Sequence, residues 1–579
     1  MPAMPADGRR ITRRELFRRA GLTAGGIAAS QLPLGAWPAG AAERWPTLQL
    51  ARVWLTNDTA HLVGDFDETH TLYPDGLELL LWPGDRARLD ATGLRYEITV
   101  PDLIARDLAE EERLAGFRPD LPPVPGERTA YRTLAEMNAD LDDLAARFPD
   151  TARVFELPYK SHEGRTVRGI EIARDVARSD GRPVLYMDGI HHSREWPAAE
   201  MPIMFAFDLL ESDGTDPRIT NIVDNVRTII VPIMNPDGFH FSRSALIDVS
   251  GVGHPAIGNA YWRKNRRNDG HALDALIPGY GAHGVDPNRN YSYGWGGDGS
   301  SASTSSDTYR GPSPLSEPEN RNVAHILRTH HVAAMITHHT SGRLVLWAWS
   351  WTLNDLHDQQ LIEGMGRAMA SYNGYTPQKS RQLYIHTGVC VDHAYGAYGT
   401  ISYTFEHTTA FHPSYQSTIP QMYVDNRPAF LLLAEEGCLP PEQRPEGRTL
   451  PPHLAQFGLE GKLHHGILRG RLVDEAGAAV AGTVHLGQDF ESIMWLNGNG
   501  ANPTGLPSVP ESVDTAIETE ADGTFAWHVN PSSRPYMLER GEQAPYRLTA
   551  TAGQLSATRD VFIGRGEILD LGDVTVGAG

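Results

Sequence analysis

The plainest pattern of apolar and polar positions is Val184-Leu185-Tyr186-Met187, a short apolar run that predicts a buried strand. It leads into Gly189-Ile190-His191-His192-Ser193-Arg194-Glu195-Trp196 and then into Ala198 to Leu210, whose Ala, Met, Phe and Leu predict a mostly buried helix. A polar turn between strand and helix lets side chains converge, so His192 and Glu195 can offer an imidazole nitrogen and a carboxylate to one point. Two further apolar runs end in chemistry: Val332 to Thr337 in His338-His339-Thr340, and Tyr403-Thr404-Phe405 in Glu406. A histidine from a second strand would complete an open, three-ligand zinc site.

Elsewhere the pattern marks core. Thr133-Leu134-Ala135-Glu136 is a capping box, Leu134, Met137, Leu141, Leu144 and Phe148 follow at helical spacing, and Pro149 ends the helix. Strands and helices alternate to about Gly437, predicting an α/β sheet covered on both faces. Gly296 to Ser306 reads as a Gly/Ser-rich surface loop. In front, residues 47–118 show strand-like pieces at 48–55, 77–81 and 96–100, a polar stretch after the first, and a short helix from Asp85 ending at Gly93. A Pro-rich connector, 119–125, follows. Behind Cys438 comes a second Pro-rich linker, 440–452. Strands are then predicted at 466–473, 483–486, 524–529, 546–551 and 568–576, with a tight turn at Asp522-Gly523 and a long loop at 497–510. His464-His465 reads as a solvated pair at a domain edge.

Composition narrows the classes. A chain of 579 residues exceeds one core and predicts several domains. A formal charge of −21 argues against nucleic acid or an anionic membrane as partner. Two cysteines, Cys390 and Cys438, make no disulfide framework; they form one optional bridge or stay as buried thiols. Thr12-Arg13-Arg14-Glu15-Leu16-Phe17, the Gly/Ala-rich run 20–34 and Ala39-Gly40-Ala41 read as a twin-arginine signal peptide, 1–41, with its cleavage site. The alternative is a basic arm. The run is too short to span a membrane. Export would place the protein in the periplasm or outside the cell. The six arginines of 1–41 stand against Asp7 and Glu15, so the remainder would carry about −25.

Taken in order, Gly-Ile-His-His-Ser-Arg-Glu-Trp, Asn235-Pro236-Asp237-Gly238, Trp262-Arg263-Lys264, Val285-Asp286-Pro287-Asn288-Arg289-Asn290, Tyr309-Arg310-Gly311-Pro312-Ser313-Pro314 and Thr404-Phe405-Glu406 resemble the zinc carboxypeptidases of the carboxypeptidase A type. The likeness runs from about Tyr131 to Gly437, within a catalytic domain expected at 128–438. It implies a mixed eight-stranded sheet flanked by helices, one catalytic zinc ion at the strand ends, and peptide substrates with a free C-terminal carboxylate. The zinc ligands would be His192, Glu195 and His339. The three-residue His-to-Glu spacing selects His192 over His191, and the following hydroxyl residue selects His339 over His338. His191 and His338 would be their hydrogen-bonding neighbours.

The resemblance further implies Glu406 as the catalytic carboxylate and Arg263 as the cation facing the oxyanion. Asn288 and Arg289 would bind the terminal carboxylate, Tyr384 would close over the substrate, and Arg194 would make a further substrate contact. Lys264, Arg266 and Arg267 are expected on the solvated surface. Val391 aligns with the base of the side-chain pocket, where an apolar residue implies apolar or aromatic C-terminal residues. One departure is Ser341, where the family often has an aromatic. Residues 47–118 resemble the α+β prosegment of secreted metallopeptidases, and 459–579 a transthyretin-like β-sandwich. A related zinc amide hydrolase, acting on cell-wall peptides with D-residues or on acyl-amino acids, is the alternative activity. Oligomeric state is not legible.

Overall fold

The computed structural model describes residues 48–578 except 57, 65, 83, 115–116, 118–119, 122, 244–259, 269–283, 493–508 and 540. The expected signal peptide and most of the expected 497–510 loop lie outside the described residues. The first sheet is antiparallel and four-stranded. It comprises β1 (Gln49–Trp54), β2 (Asp67–Tyr73), β3 (Gly76–Leu81) and β4 (Tyr96–Val100), in the order β2-β3-β1-β4. The helices Asp85–Thr92 and Leu103–Arg113 accompany it, the former closed by Gly93 at φ 70°. β2 falls in the polar stretch where no strand was expected. Its Asp67, Glu68 and Thr69 are buried all the same. Buried polar groups need partners: Thr69 Oγ1 donates to Glu78 of β3 at 3.0 Å, whereas Asp67 and Glu68 also reach side chains of the central region.

That region is built on eight strands: β5 (Ala152–Glu156), β6 (Arg168–Ile172), β7 (Val184–Gly189), β8 (Arg227–Val231), β9 (Val332–Thr340), β10 (Leu344–Trp347), β11 (Thr376–Lys379) and β12 (Ile401–His407). They form one sheet in the order β11-β10-β12-β9-β7-β8-β6-β5. The inner strands β12, β9, β7 and β8 run parallel, and antiparallel pairings on either side make the sheet mixed. Every residue of these four strands is buried, because helices cover both faces; hence continuous apolar runs instead of alternation. The helix Pro197–Glu211 is buried from Pro197 through Leu210, which is why its sequence is apolar all round. The helix Leu134–Arg147 buries only Met137, Asp140, Leu141 and Leu144, and its Thr133–Glu136 capping box is formed. Such a cap is typically worth about 1 kcal/mol.

Two more sheets follow. β13 (Gly466–Val473), β14 (Thr483–Ser492), β15 (Val509–Glu518), β16 (Thr524–Val529), β17 (Tyr546–Ala552), β18 (Leu555–Val561), β19 (Ile568–Thr575) and β20 (Gly577–Ala578) divide into β16-β13-β19 and β15-β14-β17-β18-β20. The two sheets share a core that includes Leu468, Val484, Trp527, Leu548 and Val574. They are fastened to the central region by Glu511, which accepts from Ser292 Oγ and Tyr398 OH at 2.6 Å each, and by Asn530 Nδ2 donating to the Val332 carbonyl at 3.0 Å. β15 and β18 escaped the apolar pattern, since both carry charged and Thr/Ser residues on an open face.

Two expectations are corrected here. His464 and His465 are not solvated: both are buried, and His465 Nε2 lies 2.6 Å from His528 Nδ1. Burial pushes His464 down to about 3 and His528 to about 4. The Gly/Ser loop is not all surface, because Ser301 and Ser306 are buried. Of the two alternatives left open for Cys390 and Cys438, the structure holds the second: both are buried, free thiols.

Candidate active site

The parallel strands β7, β9 and β12 end side by side, and in α/β sheets the crevice beyond the carboxyl ends is where ligands bind. The register sets Glu406 opposite His339 and His338 opposite Gly189. Past β7 the chain turns through Ile190, whose φ of 60° is a left-handed conformation that a β-branched residue adopts only under strain. That turn brings His192 and Glu195 against His339. His192 Nδ1 is 2.7 Å from Glu195 Oε1, and His339 Nδ1 is 2.9 Å from Oε2. One donor atom from each of the three lies within 4.8 Å of the others, all buried.

These residues fit a metal ion. Both histidines turn Nδ1 to the one Glu195 carboxylate, and His339 Nε2 has no hydrogen-bond partner among the described residues. Two imidazoles and a carboxylate are the donor set of an open zinc site. Burial would raise the Glu195 carboxyl, but the rings of His192 and His339 hold it well below the usual range. Asp286 lies at 3.1 Å from His192 Nε2 and orients that ring from behind. Its other oxygen accepts from Arg263 Nε and Nη2 at 3.1 and 3.0 Å. This bridging role was missed in the sequence, where Asp286 stood out only as part of the Asp-Pro-Asn-Arg motif. His191 bonds Tyr291 OH at 2.7 Å, and His338 Nδ1 lies 2.9 Å from His407 Nε2.

Around this centre lie the expected substrate residues. Arg289 is buried, donating through Nε to the Gly299 carbonyl (2.9 Å), through Nη1 to the Asn288 carbonyl (2.7 Å) and through Nη2 to Tyr384 OH (3.0 Å). Asn288 Oδ1 caps the start of the helix Cys390–Tyr398 by accepting from Cys390 N–H at 2.9 Å. Val391 sits buried in the first turn of that helix, and its carbonyl accepts from Ser402 Oγ at 2.9 Å. Lys264 is a correction: it is buried, and its ammonium donates to the Thr304 and Ser306 carbonyls at 3.0 and 2.9 Å, pinning the Gly/Ser loop. Arg267 pairs with Glu317 at 2.8 Å and Arg266 with Glu163 at 3.0 Å.

The unexpected occupant is β2. The Asp67 carboxylate pairs with both terminal nitrogens of Arg194, at 2.5 Å for Nη2, and accepts from Trp82 Nε1 at 2.9 Å. The Glu68 carboxylate accepts from Tyr384 OH and lies 3.8 Å from Arg289. Ser341 Oγ, at the departure noted in the sequence, donates to the Thr69 carbonyl at 3.0 Å. Burial and then the Glu68 charge raise Tyr384 well above the usual phenol range. Burial opposes the Arg263 charge, but Asp286, Glu68 and Asp67 hold it well above the usual value. Three groups expected to bind substrate thus hold this chain's own acids.

The sheet, the convergent His/Glu/His donors and the flanking arginines define a metal-dependent hydrolase of anionic substrates. A zinc carboxypeptidase family model matches residues 137–429, half of the chain, and the protein belongs to that family: it is a zinc-dependent peptidase that hydrolyses C-terminal peptide bonds. It is 27% identical over 332 residues to rat (Rattus norvegicus) carboxypeptidase A1, covering 55% of this chain and 73% of the relative. It is 32% identical over 232 residues to carboxypeptidase B of Astacus astacus, covering 40% and 67%. Among solved structures, carboxypeptidase A from Helicoverpa armigera superposes with a TM-score of 0.55 at 23% identity, over 68% of this chain and 97% of that one; this likeness concerns the fold. No helix among the described residues is long and apolar enough to cross a membrane.

Proposed function

We propose that the protein is an exported carboxypeptidase, held latent by its N-terminal sheet, that removes apolar residues from peptide C-termini. The observation that carries the catalytic reading is the convergence of His192, Glu195 and His339 beside Glu406, with Arg263 and Arg289 at 3.0 and 4.0 Å from Asp286, which touches His192. A zinc ion bound by those three residues supplies a Lewis acid that polarises the scissile carbonyl and acidifies water. Arg289 and Asn288 hold the terminal carboxylate, for which a guanidinium fork is the natural partner. Arg263, kept cationic and oriented by Asp286, faces the negative charge that develops on the carbonyl oxygen. Glu406 takes the proton from the attacking water and passes it to the leaving amine. Tyr384 swings from Glu68 onto the bound substrate, and Val391 makes the floor of the side-chain pocket apolar.

Latency follows from Asp67 and Glu68, which engage Arg194 and Tyr384 and approach Arg289, leaving a substrate carboxylate no free cation there. We read 459–579 as a transthyretin-like module and 1–41 as the export signal. The carboxylate-binding arrangement favours a peptidase over the amide-hydrolase alternative.

The test uses the Asp67→Asn, Glu68→Gln chain on blocked dipeptides ending in Phe, Leu, Lys, Arg or Glu, each beside its C-terminal amide. Release of Phe and Leu from the free acids alone supports the reading. Release of Lys or Arg would overturn the pocket assignment, and equal hydrolysis of the amides would overturn the role of Arg289.

A further inference from the structure

We propose that the chain binds a second metal ion of the zinc type, behind the catalytic site, on Asp188, His191 and Cys390. Asp188 stands near the end of β7, His191 in the turn that follows, and Cys390 opens the helix Cys390–Tyr398. One donor atom from each lies within 4.8 Å of the other two, and all three residues are at most 1% exposed. None belongs to the His192/Glu195/His339 set.

The second observation concerns Asp188 itself. Both its carboxylate oxygens are buried without a hydrogen-bond partner among the described residues. Among the described residues no lysine or arginine offsets it: burial pushes its carboxyl up to about 7, and the Thr337 and Tyr186 hydroxyls oppose that rise. An ionised carboxylate in a dry core is costly, so such a group keeps its proton unless a cation partners it. His191 supplies the complementary geometry. Its Nε2 lies 2.7 Å from Tyr291 OH, while Nδ1 meets the Thr337 hydroxyl at 3.2 Å and lies 3.8 Å from Asp188 Oδ1. That separation is too long for a hydrogen bond and only slightly wider than the edge of a tetrahedron with bonds of about 2.1 Å.

The chemistry agrees with the geometry. A thiolate, an imidazole and a carboxylate together select zinc-type ions over calcium or magnesium. A divalent ion with one thiolate and one carboxylate makes a neutral cluster, the form a dry core tolerates; binding releases to solvent the thiol proton and any proton that the Asp188 carboxyl carries. The ion ties β7 to the helix that carries Val391. It also braces the His191 ring, which stacks on the ring of His339 at 5.2 Å.

The test is metal content by mass spectrometry of the full chain after exhaustive dialysis, with optical spectra of cobalt-loaded protein. Two ions per chain are expected in wild type and one in Cys390→Ser or Asp188→Asn. The cobalt form should show a thiolate-to-cobalt charge-transfer band, which His192, Glu195 and His339 cannot produce because they contain no sulfur. A His192→Ala chain should lose one ion and keep the band. One ion per wild-type chain with no such band, or two ions in Cys390→Ser, would overturn the proposal. Should either variant fail to fold, the wild-type stoichiometry and band decide alone.

Discussion

Neutralising the acidic pair of β2, with Asp67→Asn and Glu68→Gln together, is expected to release the peptidase from latency. In the closed arrangement Arg194 is fully buried and Asp67 is 1% exposed, so their pairing is sealed from water. Removing one partner of a buried pair costs about 3–5 kcal/mol, because the other charge stays buried and uncompensated. When the N-terminal sheet swings away, water solvates Arg194 and that cost disappears. The closed state alone is therefore destabilised, and at about 1.4 kcal/mol per tenfold its population relative to the open state falls roughly 100- to 3,000-fold. The assay is kcat/KM on a blocked dipeptide ending in Phe, with zinc content and Tm measured beside it. A rise of two orders of magnitude or more is expected, up to the ceiling set by the fully open enzyme. The control is Asp75→Asn, which breaks an ion pair with Arg52 on the exposed side of the same segment and should change nothing. Unchanged activity in the double variant, with zinc bound and Tm intact, would refute latency through these two acids.

Other outcomes follow from the same structure. Arg263→Ala should lower kcat by roughly 100- to 1,000-fold with little change in KM, since its charge acts on the developing oxyanion; steady-state kinetics on the opened enzyme read this. Val391→Asp should shift preference from Phe and Leu to Lys and Arg, measured as the ratio of kcat/KM values. Acid should destabilise the fold through histidines withdrawn from water, among them the half-buried His528. His528, at about 4, lies below the ordinary value of 6.5, so between those pH values the unfolded chain binds a proton that the folded one refuses. Its contribution is fully present above pH 6.5 and falls by about 1.4 kcal/mol per pH unit towards pH 4. Tm against pH in wild type and His528→Gln should show the shallower slope in the variant; equal slopes would remove His528 from the account.

The elements that carry the catalytic donors were legible because buried parallel strands must be apolar. β7, β9 and β12 announce themselves as such runs, and a polar residue at the end of each stands out. The same logic hid β2. A strand whose side chains are buried against arginines and a tyrosine is polar, and apolar periodicity passes over it. Thr69 gave no sign that its carbonyl would meet Ser341, 272 residues away. Lys264 and the His464-His465 pair were misplaced for a related reason: charge or polarity suggests solvent unless the partner is known. The partners are the carbonyls of a Gly/Ser loop in one case and His528 in the other. Asp286 was visible as a motif residue, but its place between His192 and Arg263 is a fact of three dimensions.

The most direct test of the catalytic account is release of C-terminal Phe by the Asp67→Asn, Glu68→Gln chain, with and without a chelator, beside the same chain carrying Glu406→Gln. The account predicts release that the chelator abolishes and zinc restores, and a loss of roughly 100- to 10,000-fold in the Glu406→Gln chain with its zinc still bound. Release that survives the chelator, or a Glu406→Gln chain as active as its parent, would contradict it.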